Sequence, residues 1–230
     1  MNRGTLGGSA NFRSMEPDTP QETHRVAPMR GLHLNRIESL TDGVFAIAMT
    51  ILIFDLKSSA TSHGDAAALL GYLTAITGNF IIYVISFFLL ALFWFYYHKQ
   101  LHRIVRTDDG LVWLNICFLF TITLVPYTAY LYGAYIGARI ASLIYCANII
   151  AVGLFQLLHW LHAVRKGMLD PRVTPETRDA TTARSLVVLG CYVLAFAIAF
   201  VNPYYFFVAY WAIPIALSVT SRLVRLQSPA

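Results

Sequence analysis

Arg36, Thr41 and Asp42 stand at the entrance to an apolar run, Val44 to Phe54, in which Thr50 is the single polar side chain. Charge set against a membrane-length apolar segment is costly unless it faces protein or water. Such groups therefore mark ion paths, proton relays or polar networks between helices. Arg36 and Asp42 are six residues apart, about 240° around a helix. They are poor partners for each other and call for partners on other helices. His98, one turn after Trp94, and Asn115 are uncharged candidates at the same expected membrane depth. Further along, Ile47, Thr50, Ile51 and Phe54 recur at i, i+3, i+4 and i+7 and share one helix face, while Phe45, Met49 and Ile53 point elsewhere. Such a face either packs against other helices or lines a narrow water path. In a water path, apolar rings gate by dewetting and a hydroxyl gives a passing ion a transient oxygen partner.

Other chemistries draw on other residues. His98 with His102, or His159 with His162, has the spacing of axial haem or metal ligands on a helix. Both pairs fall at expected cytoplasmic helix ends beside Lys or Arg, where interfacial solvation is the simpler account. Asp42 or Asp55 would serve as the titrating carrier of a proton-coupled transporter, but the inverted repeats with broken helices that support such a mechanism are not recognisable. A hydrolase would need a nucleophile elbow, and no Gly-x-Ser-x-Gly occurs. Cys117, Cys146 and Cys191 lack metal-ligand spacing and read as small packing residues.

The elements that must position these residues are membrane helices. Of 230 residues, 57% are hydrophobic and 13% charged, too apolar for one soluble core. Residues 66–97, 110–138, 140–164 and 185–221 contain no Asp, Glu, Lys or Arg. A hydrocarbon layer of roughly 30 Å takes about 20 helical residues, so the first three runs each cross once. The fourth is long enough for two crossings, 185–201 and 204–221, divided at Asn202-Pro203. The segment 34–56 supplies a first crossing if Asp42 faces protein or water. Six helices result, an all-α membrane fold.

Loop charges agree with that count. Fifteen Lys and Arg fall in the N-terminal arm, the second and fourth loops and the C-terminus, against Lys57 and Arg139 on the other side. This asymmetry puts both termini in the cytoplasm. The net charge of +5 is spread over separate loops, which argues against nucleic acid as a partner. Residues 1–31, rich in Gly, Ser, Pro and Thr, read as a disordered cytoplasmic arm without a cleavable signal. The six-helix domain then spans 32–224, and 225–230 form a tail.

Arg36 with Leu40-Thr41-Asp42, continuing through Gly43 to Ile53, resembles the Arg-x-x-x-Phe-Ser-Asp signature of the transmembrane protein 175 family of potassium channels. The resemblance extends through Trp94-x-x-x-His98, Leu114-Asn115 to Leu119, and Pro126, covering 36–131. It implies a passive channel and not an enzyme, favouring potassium over sodium, with no carbonyl-lined filter loop. It also implies a prokaryotic homotetramer in the plasma membrane, its central pore lined by the first helix, with potassium and lipid as partners and no cofactor. Carried over by position, Ile47 is the apolar constriction, Thr50 the selectivity-linked hydroxyl, and Phe54 the next ring, where relatives carry a smaller aliphatic residue. Ile51 shares that face. Arg36, Thr41 and Asp42 would join Trp94, His98 and Asn115 in an interhelical network. Leu40-Thr41 replaces Phe-Ser, which keeps the hydroxyl and removes an aromatic contact.

Overall fold

The computed structural model describes residues 32–56, 66–210 and 213. The expected N-terminal arm (1–31) and C-terminal tail (225–230) lie outside the described residues. The architecture is all-α: α1 (Leu32–Ile51) running into a 3-10 turn (Leu52–Leu56), α2 (Ala66–Leu101), α3 (Asp109–Ala134), α4 (Arg139–Arg165) and α5 (Pro175–Val201). Five stretches, Leu34–Phe54 and these last four helices, are long and apolar enough to cross a membrane. Of the sixth expected crossing, residues 207–210 are helical, and most of 204–221 falls outside the described residues.

Helix boundaries follow local chemistry. Asp108 caps α3: its carboxylate accepts a 2.8 Å hydrogen bond from the Leu111 backbone N–H and lies 2.9 Å from His162 Nε2 on α4. α5 begins at Thr174, whose hydroxyl accepts from Thr177 N at 3.3 Å, with Pro175 in the first turn, where its missing N–H leaves no intrahelical bond unmade. α4 ends in a Schellman motif. Gly167 takes φ +62°, while Met168 N donates to Ala163 O at 2.9 Å and Gly167 N to Val164 O at 3.2 Å.

The loops before α3 and before α5 meet at one end of the bundle. Val105 N donates to Met168 O at 2.9 Å, and Asp170 N to Arg103 O at 2.8 Å. These are the second and fourth loops, the two internal loops that carry most of the basic residues. At the opposite end, Tyr132 Oη donates to Pro203 O at 2.9 Å, joining the end of α3 to the turn after α5. Successive helices therefore run up and down.

Packing is tightest where side chains shrink. A Cβ on Gly153 of α4 would meet the Tyr192 ring of α5 at 2.9 Å, so glycine is what lets that ring lie against the helix. Gly78 of α2 faces Ile136, and Asn79 faces Gly133 of α3, so Gly78 and Asn79 form a contact patch, while Thr77 is exposed and bonds to Leu73 O of its own helix. Cys146 is buried among aromatic rings, and the three cysteines are free.

The Asp108 cap yields a measurable expectation. The Leu111 N–H, with help from His162, holds the Asp108 carboxyl below its ordinary range. A carboxyl depressed on folding stabilises the protein above its unfolded pKa, and that contribution disappears as pH falls through the folded value. Asp108→Ala is expected to cost about 1 kcal/mol at neutral pH, the usual worth of an N-cap. Thermal unfolding in detergent at pH 7 and at acid pH should show the gap between parent and variant closing on acidification.

Candidate functional site on the first helix

α1 has two faces with the same 3.6-residue period. Leu34, Ile37, Thr41, Phe45, Ala48 and Leu52 are buried. Phe45 reaches the Phe118 ring of α3 at 5.9 Å, and Phe118 in turn stacks on Tyr97 of α2 at 4.5 Å. The opposite stripe, through Arg36, Leu40, Gly43, Ile47, Thr50 and Phe54, is exposed. Ile47 is 60% exposed and Phe54 58%, values foreign to apolar side chains settled in a core. Ile51 is 43% exposed beside them. All four residues expected on one face therefore share an uncovered surface.

Thr50 donates its hydroxyl hydrogen to its own helix, to Ala46 O at 3.0 Å and Ile47 O at 2.9 Å. With the hydrogen committed to the backbone, the oxygen remains an acceptor. Phe54 sits in the 3-10 turn, where about 120° per residue replaces the α-helical 100°. Ile53 is 45% exposed there as well, so the register that separates Ile53 from Phe54 in a regular helix is relaxed. Beside the stripe, α1 and α3 leave an apolar cleft of about 320 Å³, lined by Ile47, Ala48, Ile51, Pro126, Tyr127 and Tyr130 among others.

The polar residues form two groups. The first is buried between α1, α2 and α3. Thr41 Oγ1 bonds to Ile37 O at 2.8 Å and lies 3.4 Å from Asn115 Oδ1, while Tyr97 Oη donates to the same Asn115 oxygen at 2.5 Å. Tyr97 Oη is also 3.1 Å from His159 Nε2 on α4. The second group is at the periphery. Trp94 Nε1 donates to Asp42 Oδ1 at 2.8 Å, and the Trp94 ring stacks on His98 at 5.4 Å. Arg36 is exposed on the outer stripe and belongs to neither group.

Some residues have other surroundings than the sequence indicates. His159 is fully buried and bonded to Tyr97, not solvated at an interface, because α4 is sheathed by α3 and α5 along its length. His162 faces Asp108, so the two histidines of that pair address different partners and do not converge as ligands. Tyr97 is 1% exposed and belongs to the core. Glu38 passes unnoticed in the sequence, yet its carboxylate lies 3.3 Å from His102 Nδ1 and 3.6 Å from His98 Nδ1. The signal available was its spacing: Glu38 is one turn before Asp42, and His98 one turn after Trp94.

The model of the family described as "Endosomal/lysosomal potassium channel TMEM175" matches residues 36–126. A potassium channel of Streptomyces collinus is 35% identical over 175 residues, covering 73% of this chain and 82% of that protein. One from Chamaesiphon minutus is 28% identical over 171 residues, covering 73% and 84%. The human endosomal/lysosomal proton channel TMEM175 is 25% identical over 175 residues, 71% of this chain and 33% of that protein. The crystal structure of a lysosomal potassium-selective channel TMEM175 homolog from Chamaesiphon minutus superposes with a TM-score of 0.65 at 25% identity, covering 86% of this chain and 99% of that one.

Proposed function

Since the chain belongs to the TMEM175 family of ion channels and is a multi-pass membrane protein, we propose that it conducts potassium in preference to sodium through a pore lined by α1. The observation that carries this reading is the exposed stripe of Ile47, Thr50, Ile51 and Phe54 on a helix whose other face is packed into the core. A lone chain leaves this apolar surface open, and a closed ring of identical chains covers it while enclosing an axis. The assembly is a homotetramer of six-helix subunits in the plasma membrane of a prokaryote, with both termini cytoplasmic and lipid around it.

Ile47 forms the constriction in this reading. Four isoleucine side chains around one axis repel water, and an ion crosses only when the ring wets. One turn away, Thr50 offers four hydroxyl oxygens that replace part of the ion's hydration shell. Phe54 narrows the outer mouth. Thr41 with Asn115 on the buried face, and Asp42 with Trp94 at the periphery, hold α1 against α3 and α2. The transported ion is cargo, and passive conduction needs neither a cofactor nor catalytic groups.

Flux assays on purified protein in liposomes test the proposal. Potassium efflux above that of protein-free vesicles, exceeding sodium efflux under matched gradients, supports it. Permeability equal to empty vesicles across pH and voltage overturns it. The relatives named proton channels make proton flux the second quantity to measure in the same vesicles. Proton uptake driven by a pH gradient without potassium counterflux would favour a carrier role for Asp42 instead. Thr50→Ala removes an oxygen partner worth about 1 kcal/mol, so the potassium-to-sodium permeability ratio, read from reversal potentials, should fall about fivefold. Met49→Ala, on another face of α1, should leave the ratio unchanged.

A further inference from the structure

We propose that Glu38, His98 and His102 form a binding site for a transition-metal dication of the zinc class, fastening the cytoplasmic end of α1 to that of α2. The three ligand atoms, one carboxylate oxygen and two imidazole nitrogens, all lie within 4.8 Å of one another. Glu38 Oε1 is 3.3 Å from His102 Nδ1 and 3.6 Å from His98 Nδ1. A tetrahedral zinc ion with bonds of about 2.0–2.1 Å holds neighbouring ligand atoms roughly 3.3–3.4 Å apart. The two Glu–His edges are therefore within a few tenths of an ångström of a metal-bound arrangement.

The fold builds this triad from separate parts. His98 stands in the last turn of α2 and His102 just past its end, with His102 N donating to His98 O at 3.0 Å and the rings 4.1 Å between centroids, and Glu38 arrives from α1. One turn along each helix, the Trp94–Asp42 hydrogen bond of 2.8 Å fixes how α1 and α2 face each other. His98 Nδ1 is buried and makes no hydrogen bond, Glu38 Oε1 standing just beyond that range at 3.6 Å, and in the tautomer protonated on Nε2 its lone pair is available to a metal. The side chain of His102 is 49% exposed, so an ion enters from water and keeps a solvent ligand. The nearest cations in sequence are engaged elsewhere: Lys99 Nζ sits 4.0 Å over the Phe95 ring, and Arg103 donates to Thr181.

Two imidazoles and one carboxylate select for zinc, cobalt, nickel or copper over magnesium and calcium, which prefer oxygen shells. Such an ion is bound by the protein and stays outside the permeation path, so the site is distinct from the pore and its test does not depend on conduction.

Equilibrium dialysis of the full chain in detergent with zinc should give one ion per chain, undisturbed by excess magnesium. Cobalt in its place should produce the visible absorption of a tetrahedral centre. Glu38→Gln and His102→Gln should each weaken binding at least about tenfold, and His162→Gln, away from the cluster, should not. Gel-filtration profiles matching the parent establish that the variants are folded. No zinc above the detergent blank, or equal binding by the Glu38→Gln/His102→Gln double variant, overturns the proposal.

Discussion

Ile47→Asn raises potassium efflux from proteoliposomes about tenfold, because a fall of ~1.4 kcal/mol in the barrier is enough for that change. The side chain is 60% exposed in the single chain, at the rim of the cleft beside α3 and outside the buried core, so the substitution is expected to spare the fold. Its effect is on water. In the proposed pore, a ring of isoleucines leaves an ion no partner when it sheds hydration, and a ring of carboxamides supplies oxygen and keeps the constriction wet. The same reasoning predicts weaker voltage and pH sensitivity of the leak, since a wetted constriction no longer needs opening. Phe45→Asn is the contrasting control: Phe45 is fully buried against Phe118, and an amide there disrupts packing instead of raising flux. Leak unchanged by Ile47→Asn in protein that folds and conducts would remove Ile47 from the pore.

One face of α1 was legible in the sequence because it repeats with the helical period, and the four residues the spacing singled out all lie on the exposed side. Five membrane-length helices among the described residues were legible because charge is absent over the apolar runs that form them. What the sequence hid is contact between distant segments. Tyr97 and His159 are 62 positions apart, and α4 is apolar around most of its circumference, so no periodicity reveals that His159 turns toward α2. Glu38 lies among polar neighbours on a helix end, and its meeting with His98 and His102 depends on how α1 crosses α2. Arg36 matched a signature by type and position, but in the single chain it stands on the exposed stripe, apart from both polar groups. Phe54 followed the helical period in sequence, and the 3-10 turn at Leu52–Leu56 relaxes that register.

Asn115→Leu is expected to destabilise the protein by about 1–3 kcal/mol, the cost of stranding buried donors. Asn115 is 1% exposed, and its one side-chain oxygen receives Tyr97 Oη at 2.5 Å while lying 3.4 Å from Thr41 Oγ1. Leucine fills the volume and offers nothing to either hydroxyl. Thr41 retains Ile37 O at 2.8 Å, so its loss is partial. Tyr97 retains His159 Nε2 at 3.1 Å, a longer contact that moderates the penalty without replacing the 2.5 Å bond. A double-mutant cycle with Tyr97→Phe separates these contributions: if the Tyr97–Asn115 bond matters, the double variant is more stable than the sum of the single losses implies. Thermal unfolding in detergent reads the cycle, and strict additivity would show that the bond contributes nothing. The consequence reaches the proposed pore face, because Thr41 and Asn115 join the buried side of α1 to α3. In the proposed tetramer, loosening that joint would let α1 rotate and move Ile47 and Thr50 off the shared axis. Asn115→Leu should therefore lower potassium flux and selectivity together, whereas Thr50→Ala lowers selectivity alone.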